Sequence, residues 1–196
     1  MTERPDGAAA DGDEDIMRAT YRALRDHGYA ALTVQRIADE YGKSTAAIHY
    51  HYDTKEELLV AFLDYLLGRF VDTIRDIETT DPDARLSLLL DELLTKPAET
   101  QELSVALLEM RSQAPYNDGF RERFAQNDEY VRYVLKAVIN HGIDEGTFAD
   151  VDADHAARAL LSIADGGRTR AVVFDDVSEL ELARQTASEY VDATLR

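Results

Sequence analysis

The sequence predicts an all-α protein of about nine helices: a small three-helix unit carrying a helix-turn-helix, then a larger helical region. Three observations predict this. Apolar residues recur at helical spacing almost throughout, with no convincing strand alternation. Asp, Ser or Thr stands before one apolar run after another, where helix N-caps belong, and proline follows at Asp81-Pro82. The stretch Leu32–Leu59, LTVQRIADEYGKSTAAIHYHYDTKEELL, places two short capped helices on either side of a glycine.

Residues 1–13 are rich in Ala, Gly and Asp without periodicity, and a disordered tail is expected there. The first helix is expected from Asp15 to His27, with Ile16, Ala19, Thr20, Ala23 and Leu24 on one side, stopped by Gly28. Thr33 caps a second helix to about Tyr41, Gly42 makes the turn, and Ser44 caps a third helix to about Tyr52. Asp53 is expected to cap a long helix, with Glu56 closing a capping box and an apolar stripe from Leu58 to Ile77. Asp81-Pro82 opens a helix carrying Leu86, Leu89, Leu90 and Leu93; Pro97 opens the next, which Pro115 ends. Asp118 caps a helix reaching the Gly142–Gly146 turn. Asp152 caps another that continues through Gly166-Gly167 to Phe174. Ser178 with Glu181 reads as the capping box of the last helix. The expected organisation is a tail (1–13), a helix-turn-helix domain (14–60) and a ligand-binding and dimerisation domain (61–196).

The 196 residues suffice for a real core, and the 45% hydrophobic content is that of a globular protein. Without cysteine, disulfides, thiolate metal sites and Cys nucleophiles are excluded. No apolar run approaches the roughly 20 residues of a membrane span, and the first residues lack a secretory pattern, so a cytoplasmic protein with no membrane partner is expected.

The net charge of −18 argues, taken alone, against a nucleic-acid partner. Its distribution argues otherwise. From Ile16 to Tyr52 five basic residues (Arg18, Arg22, Arg25, Arg36, Lys43) face three acidic ones, a net +2, while the rest of the chain carries −20. Lysine is scarce (Lys43, Lys55, Lys96, Lys136) and aspartate abundant, as on proteins of salt-loving organisms. At molar salt the Debye length falls to about 3 Å and such self-repulsion becomes tolerable.

A short helix, a glycine turn and a second short capped helix fit the major groove of B-DNA, roughly 12 Å wide. The positions Ile16, Ala19, Gly28, Tyr29, Thr33, Val34, Ile37, Ala38, Gly42, Ser44, Tyr50, Tyr52, Lys55, Glu56 and Leu58 stand in one ungapped register. In that register the segment resembles the N-terminal domain of the TetR family of transcriptional regulators. Ala156–Phe174, after the Gly146-Thr147-Phe148 turn, resembles the betaine-operon repressor branch.

The resemblance implies a double-stranded DNA operator as partner and assigns contacts. Thr33 and Gln35 would touch phosphate, with Gln35 within reach of a base edge. Ser44, Thr45, Ala46 and Ala47 begin the recognition helix. His49 and Tyr50 would meet backbone or base, and Lys55 would hold a phosphate. Three residues depart from the family pattern: Ala46 replaces a glycine, His49 a tyrosine, and Lys43 an apolar residue. The departures leave the fold intact and put the operator sequence in doubt; Lys43 and His49 add charge where DNA would lie.

Phe62, Tyr65, Met110, Gln113, Tyr116, Phe120, Phe124 and Arg168 suit a pocket for an unidentified small-molecule effector, or an ordinary core. Ala156, Leu160, Ile163, Gly167, Leu180, Ala187 and Val191 suit a four-helix homodimer interface, or packing within one chain. His49 and His51, two apart on a helix, point to different faces and do not make a metal pair. No cofactor is implied. No arrangement of catalytic residues supports an enzyme. The expected function is a ligand-responsive repressor acting as a homodimer on a palindromic operator; the alternative is a helical ligand-binding protein that has lost DNA binding.

Overall fold

A computed structural model describes residues 6–94 and 101–196. Its helices are α1 (Asp6–Ala31), α2 (Val34–Tyr41), α3 (Thr45–His49), α4 (Lys55–Arg75), α5 (Pro82–Leu94), α6 (Gln101–Gln113), α7 (Asp118–Asp144), α8 (Ala153–Phe174) and α9 (Ser178–Thr194). No strand occurs among the described residues, and no helix among them is long and apolar enough to cross a membrane.

The chain divides into two compact units: Met1–Leu67 with Glu99–Arg123, and Gly68–Ala98 with Phe124–Arg196. The division differs from a cut after residue 60. α6 and the start of α7 join the N-terminal helices, with α6 packed along α1. Long-range burial draws them there, and local periodicity carries no record of it.

In the first unit Ile16, Ala19, Ala23 and Leu24 of α1, Ile37 and Ala38 of α2, Ile48 of α3, and Leu58, Leu59, Phe62 and Leu63 of α4 are buried. Thr20 is buried with them; its hydroxyl donates to the Ile16 carbonyl at 2.9 Å. Gly28, at φ 70° and ψ 168°, breaks α1 in a conformation that only glycine adopts readily, and helical turns resume to Ala31. α1 also begins earlier than expected. Residues 6–13, assigned above to a disordered tail, are helical, and residues 1–5 lie outside the described structure. The alanines at 8–10 have the highest helix propensity, and a composition rule for disorder gives them no weight.

At the start of α4, Thr54 Oγ1 accepts from Glu57 N at 3.0 Å, and Glu57 Oε2 accepts from Asp53 N at 3.0 Å. The box thus closes one residue later than the expected Asp53/Glu56 pair. The start expected at Pro97 lies outside the described residues.

In the second unit α5, α8 and α9 pack together around Leu86, Leu89, Leu93, Ala157, Leu160, Ala164, Ala187 and Val191, and the same core takes in Val131, Leu135 and Ile139 of α7. Asp152 Oδ1 caps α8 by accepting from Asp154 N and His155 N at 3.0 and 3.1 Å. Ser178 does not cap α9: Asp176 Oδ1 accepts from Ser178 N at 2.9 Å, and Asp176 O already accepts from Glu179 N. Helical geometry is reached before Ser178, so no box with Glu181 forms.

Candidate nucleic-acid interface

Both helix-turn-helix starts are closed by the residues expected. Thr33 Oγ1 accepts from Arg36 N at 3.2 Å, and Ser44 Oγ accepts from Ala47 N at 3.3 Å. Between them Gly42, at φ 70° and ψ 21°, ends α2 in the left-handed region. Lys43 N then donates back to Ala38 O at 3.3 Å. Ile37, Ala38 and Ile48 are buried beneath this turn, fixing the two short helices against each other.

Thr33, Gln35, Lys43, Ser44, Ala46, His49 and Tyr50 are exposed, while Thr45, Ala47 and Lys55 are half-buried. Tyr50 is 79% exposed, its ring meeting that of His51 edge-on at a centroid distance of 5.3 Å. Gln35 Nε2 donates to Asp39 Oδ1 at 2.7 Å, so it is held along its own helix. α3 is shorter than expected and ends at His49. The residues beyond it form a turn in which His49 Nδ1 lies 3.3 Å from Tyr52 O, and His51 Nδ1 lies 2.8 Å from Asp13 Oδ1. The two histidines thus face different partners.

The arginines of the basic island are engaged within the chain. Arg22 Nε reaches Glu40 Oε2 at 3.1 Å and its Nη2 reaches Glu40 O at 2.8 Å, tying the end of α2 to α1. Arg18 pairs with Glu14 at 2.6 Å, Arg25 with Asp26 at 2.7 Å, and Arg36 donates to Ala31 O. Among the described residues, neither Lys43 nor Lys55 has a carboxylate within ion-pair distance. Lys43 Nζ instead meets the Tyr41 hydroxyl at 2.9 Å, which holds the ammonium above its ordinary range. Lys55 Nζ lies 5.5 Å from the Tyr29 ring centroid. Burial, with the charges of Glu56 and Glu109, raises the Tyr29 phenol. Burial, with Asp13 and Glu57, pushes Tyr52 up to about 12. Both rings are therefore neutral supports. The arginines of the island thus make contacts within the fold, while Lys43, inside the counted stretch, and Lys55, just beyond it, have no carboxylate partner among the described residues.

The model of bacterial regulatory proteins of the tetR family matches residues 16–62, and that of the BetI-type transcriptional repressor C-terminal domain matches residues 82–196. The chain belongs to the TetR family. It is similar to a TetR transcription regulator from Haloarcula marismortui, whose crystal structure superposes with a TM-score of 0.93 at 74% identity, covering 95% of this chain and 100% of that one. The transcriptional repressor KstR2 of Rhodococcus jostii is 30% identical over 148 residues, 71% of this chain and 69% of that protein. A putative transcriptional regulator from Saccharomonospora viridis, crystallised with choline, shares the fold with a TM-score of 0.84 at 22% identity, over 95% and 98% of the two chains.

As a TetR-family protein the chain is a DNA-binding transcriptional regulator, and its second region is of the BetI type. The residues singled out for effector and dimer contacts scatter in the structure. Phe62, Met110, Phe120 and Phe124 are buried and Tyr65 is half-buried, but Gln113 and Tyr116 stand on the surface, Tyr116 at 87% exposure. Arg168 pairs with Asp165 at 2.7 Å. Of the dimer set, Ala156, Leu160, Gly167, Ala187 and Val191 are buried inside the chain's own core, and Ile163 and Leu180 are half-buried. The small and apolar face that spacing selected is the one α8 and α9 turn to each other and to α5. Three features with no local sequence signal were missed: the Arg22–Glu40 tie, the Asp13–His51 contact and the Lys55–Tyr29 stack.

Proposed function

We propose that this TetR-family regulator is a ligand-responsive repressor that binds a palindromic operator as a homodimer in the cytoplasm and catalyses no reaction. The observation that carries the DNA contacts is the start of α3, with Ser44 and Ala46 exposed and Thr45 half-buried, flanked by Tyr50 and by two lysines without carboxylate partners among the described residues. Thr45, Ala46 and Ala47 read the major groove; Thr33, Gln35, Lys43, His49, Tyr50 and Lys55 position the domain on phosphate and sugar.

The dimer contact moves to the outer face of the α8–α9 pair. Ser162, Gly166, Thr169 and Val173 of α8, and Leu182, Thr186, Glu189 and Ala193 of α9, are exposed at helical spacing. A Cβ built on Gly166 meets open space, which leaves room for a partner helix to approach closely. An isologous pair of such faces presents two recognition helices to two half-sites about 34 Å apart.

Effector binding is supported by the choline complex of the Saccharomonospora protein and by the stearoyl-CoA complex of a Bacillus subtilis regulator, FadR, of the same fold. The buried set Phe62, Met110 and Phe120, with Tyr65, all in the first unit, is where such a ligand is first sought. An effector acts only through its different affinity for the two states of the repressor.

The test is selection of random duplex DNA by the purified protein at low and at molar salt, repeated with Lys55→Ala and Tyr50→Ala. A palindromic site, bound more weakly by both variants, is the expected result. No enrichment at either salt supports a ligand-binding protein without operator activity.

A further inference from the structure

We propose that Asp13 and His51 are positioning residues for operator binding: the carboxylate on α1 fixes the imidazole against which Tyr50 leans. The inference rests on the reading that Tyr50 faces DNA. His51 stands in the turn between α3 and α4, between two tyrosines. Its Nδ1 lies 2.8 Å from Asp13 Oδ1, a residue 38 positions earlier in the chain. Its ring meets Tyr50 edge-on, with centroids 5.3 Å apart and planes at 79°. On the other side it meets Tyr52 at 6.3 Å and 32°.

These contacts form a graded chain from inside to outside. Tyr52 is half-buried and held neutral by burial and by the charges of Asp13 and Glu57. His51 is 22% exposed at its side chain, and Tyr50 is the most exposed of the three rings. An exposed tyrosine has two soft side-chain torsions, and DNA binding must freeze both. The edge of an imidazole that is itself held through Nδ1 removes part of that freedom beforehand.

The holding contact is open to both forms of the ring. A neutral imidazole donates one N–H to the carboxylate; a charged one makes an ion pair with the same atoms. The groups that face His51 are Asp13 from α1, Tyr50 and Tyr52 on its own segment, and Glu57 of α4 through Tyr52; the His49 ring is turned to the Tyr52 carbonyl.

The experiment measures binding to the selected operator for wild type, Asp13→Asn, Asp13→Glu, Tyr50→Ala and the Asp13→Asn/Tyr50→Ala double variant, with melting of each free protein recorded. Asp13→Asn should weaken binding about three- to ten-fold. Asp13→Glu should restore part of the loss, and Asp13→Asn should have little further effect once Tyr50 is alanine. Wild-type affinity in Asp13→Asn, no recovery in Asp13→Glu, or a full loss on top of Tyr50→Ala overturns the proposal. If Tyr50→Ala itself binds normally, the reading of Tyr50 fails and the proposal falls with it, whereas failure confined to the Asp13 variants leaves that reading intact.

Discussion

Gly167 of α8 crosses α9 at Ala183 so closely that a Cβ at position 167 would lie 2.3 Å from the Ala183 Cβ. The adjacent Gly166 faces open space. Two consecutive glycines thus do different work. One lets two helices of the same chain touch; the other lies on the outer face assigned to the partner.

Gly167→Ala is therefore expected to destabilise the fold. The Ala183 methyl cannot swing aside, so the helices must separate, an overpacking cost of about 1–3 kcal/mol against which the gain in helix propensity is at most about 1 kcal/mol. Urea unfolding at fixed protein concentration reads the change. Gly166→Ala should unfold at the wild-type midpoint or slightly above it.

Oligomeric state separates the two faces of the same helix pair. Leu182, 57% exposed, and Val173, 59% exposed, have no role in the chain's own core. Leu182→Glu and Val173→Glu should weaken self-association by about thirty-fold or more, the scale of a lost interface anchor of about 2 kcal/mol. Sedimentation analysis should show monomer, with unfolding of the separated chain little changed. A dimer as tight as wild type would place the interface elsewhere.

Much of the DNA-binding unit was legible because its signals are local. Thr33 and Ser44 cap helices within three residues, Gly42 ends α2 in the left-handed region, and Ile37, Ala38 and Ile48 are the apolar positions that the two short helices bury. The inward and outward faces of α8 and α9 were not legible. Ala156, Leu160 and Ala187 are small or apolar whether they meet another helix of the chain or a second copy, and only the position of α5 decides between them. The arginines misled for a related reason. Formal charge from Ile16 to Tyr52 does not say which cations are paired: Glu40, counted within the stretch, takes Arg22, and Glu14, just before it, takes Arg18. The α4 cap slipped by one residue because the run Asp53-Thr54-Lys55-Glu56-Glu57 contains two overlapping boxes, and only geometry selects Thr54 with Glu57.

Tyr52 gives an alkaline signature. Its folded value of about 12 lies above the ordinary tyrosine value near 10, because burial and the nearby carboxylates disfavour the phenolate. A raised value means the folded state holds the proton more tightly. The stability this provides is complete below about pH 10 and is lost as pH rises toward 12. Tyr52→Phe removes the titrating group, so its unfolding midpoint should fall less steeply over that interval than wild type. Phenolate absorbance of the folded protein should show late ionisation near pH 12, and loss of that late step in Tyr52→Phe identifies its source, separating it from the also raised Tyr29.

The dependence of operator binding on salt follows from the pairing of the arginines. Each phosphate neutralised by a cation contributes about −0.9 to the slope of log K against log salt. With Arg18, Arg22, Arg25 and Arg36 engaged inside the chain, the proposed reading leaves Lys43 and Lys55 as the phosphate-binding cations of each DNA-binding unit. A dimer then makes about four such contacts, for a slope near −4 rather than the −10 of a strongly basic repressor. Lys55→Ala removes one contact per protomer and should reduce the slope by about 2, weakening all sequences alike, whereas substitutions at Thr45 or Ala46 should change sequence preference and leave the slope in place. Filter binding or fluorescence anisotropy across a salt series decides it. A slope near −10 would show that the arginines leave their partners on binding DNA, and the acidic residues that hold them would then act as a brake on association.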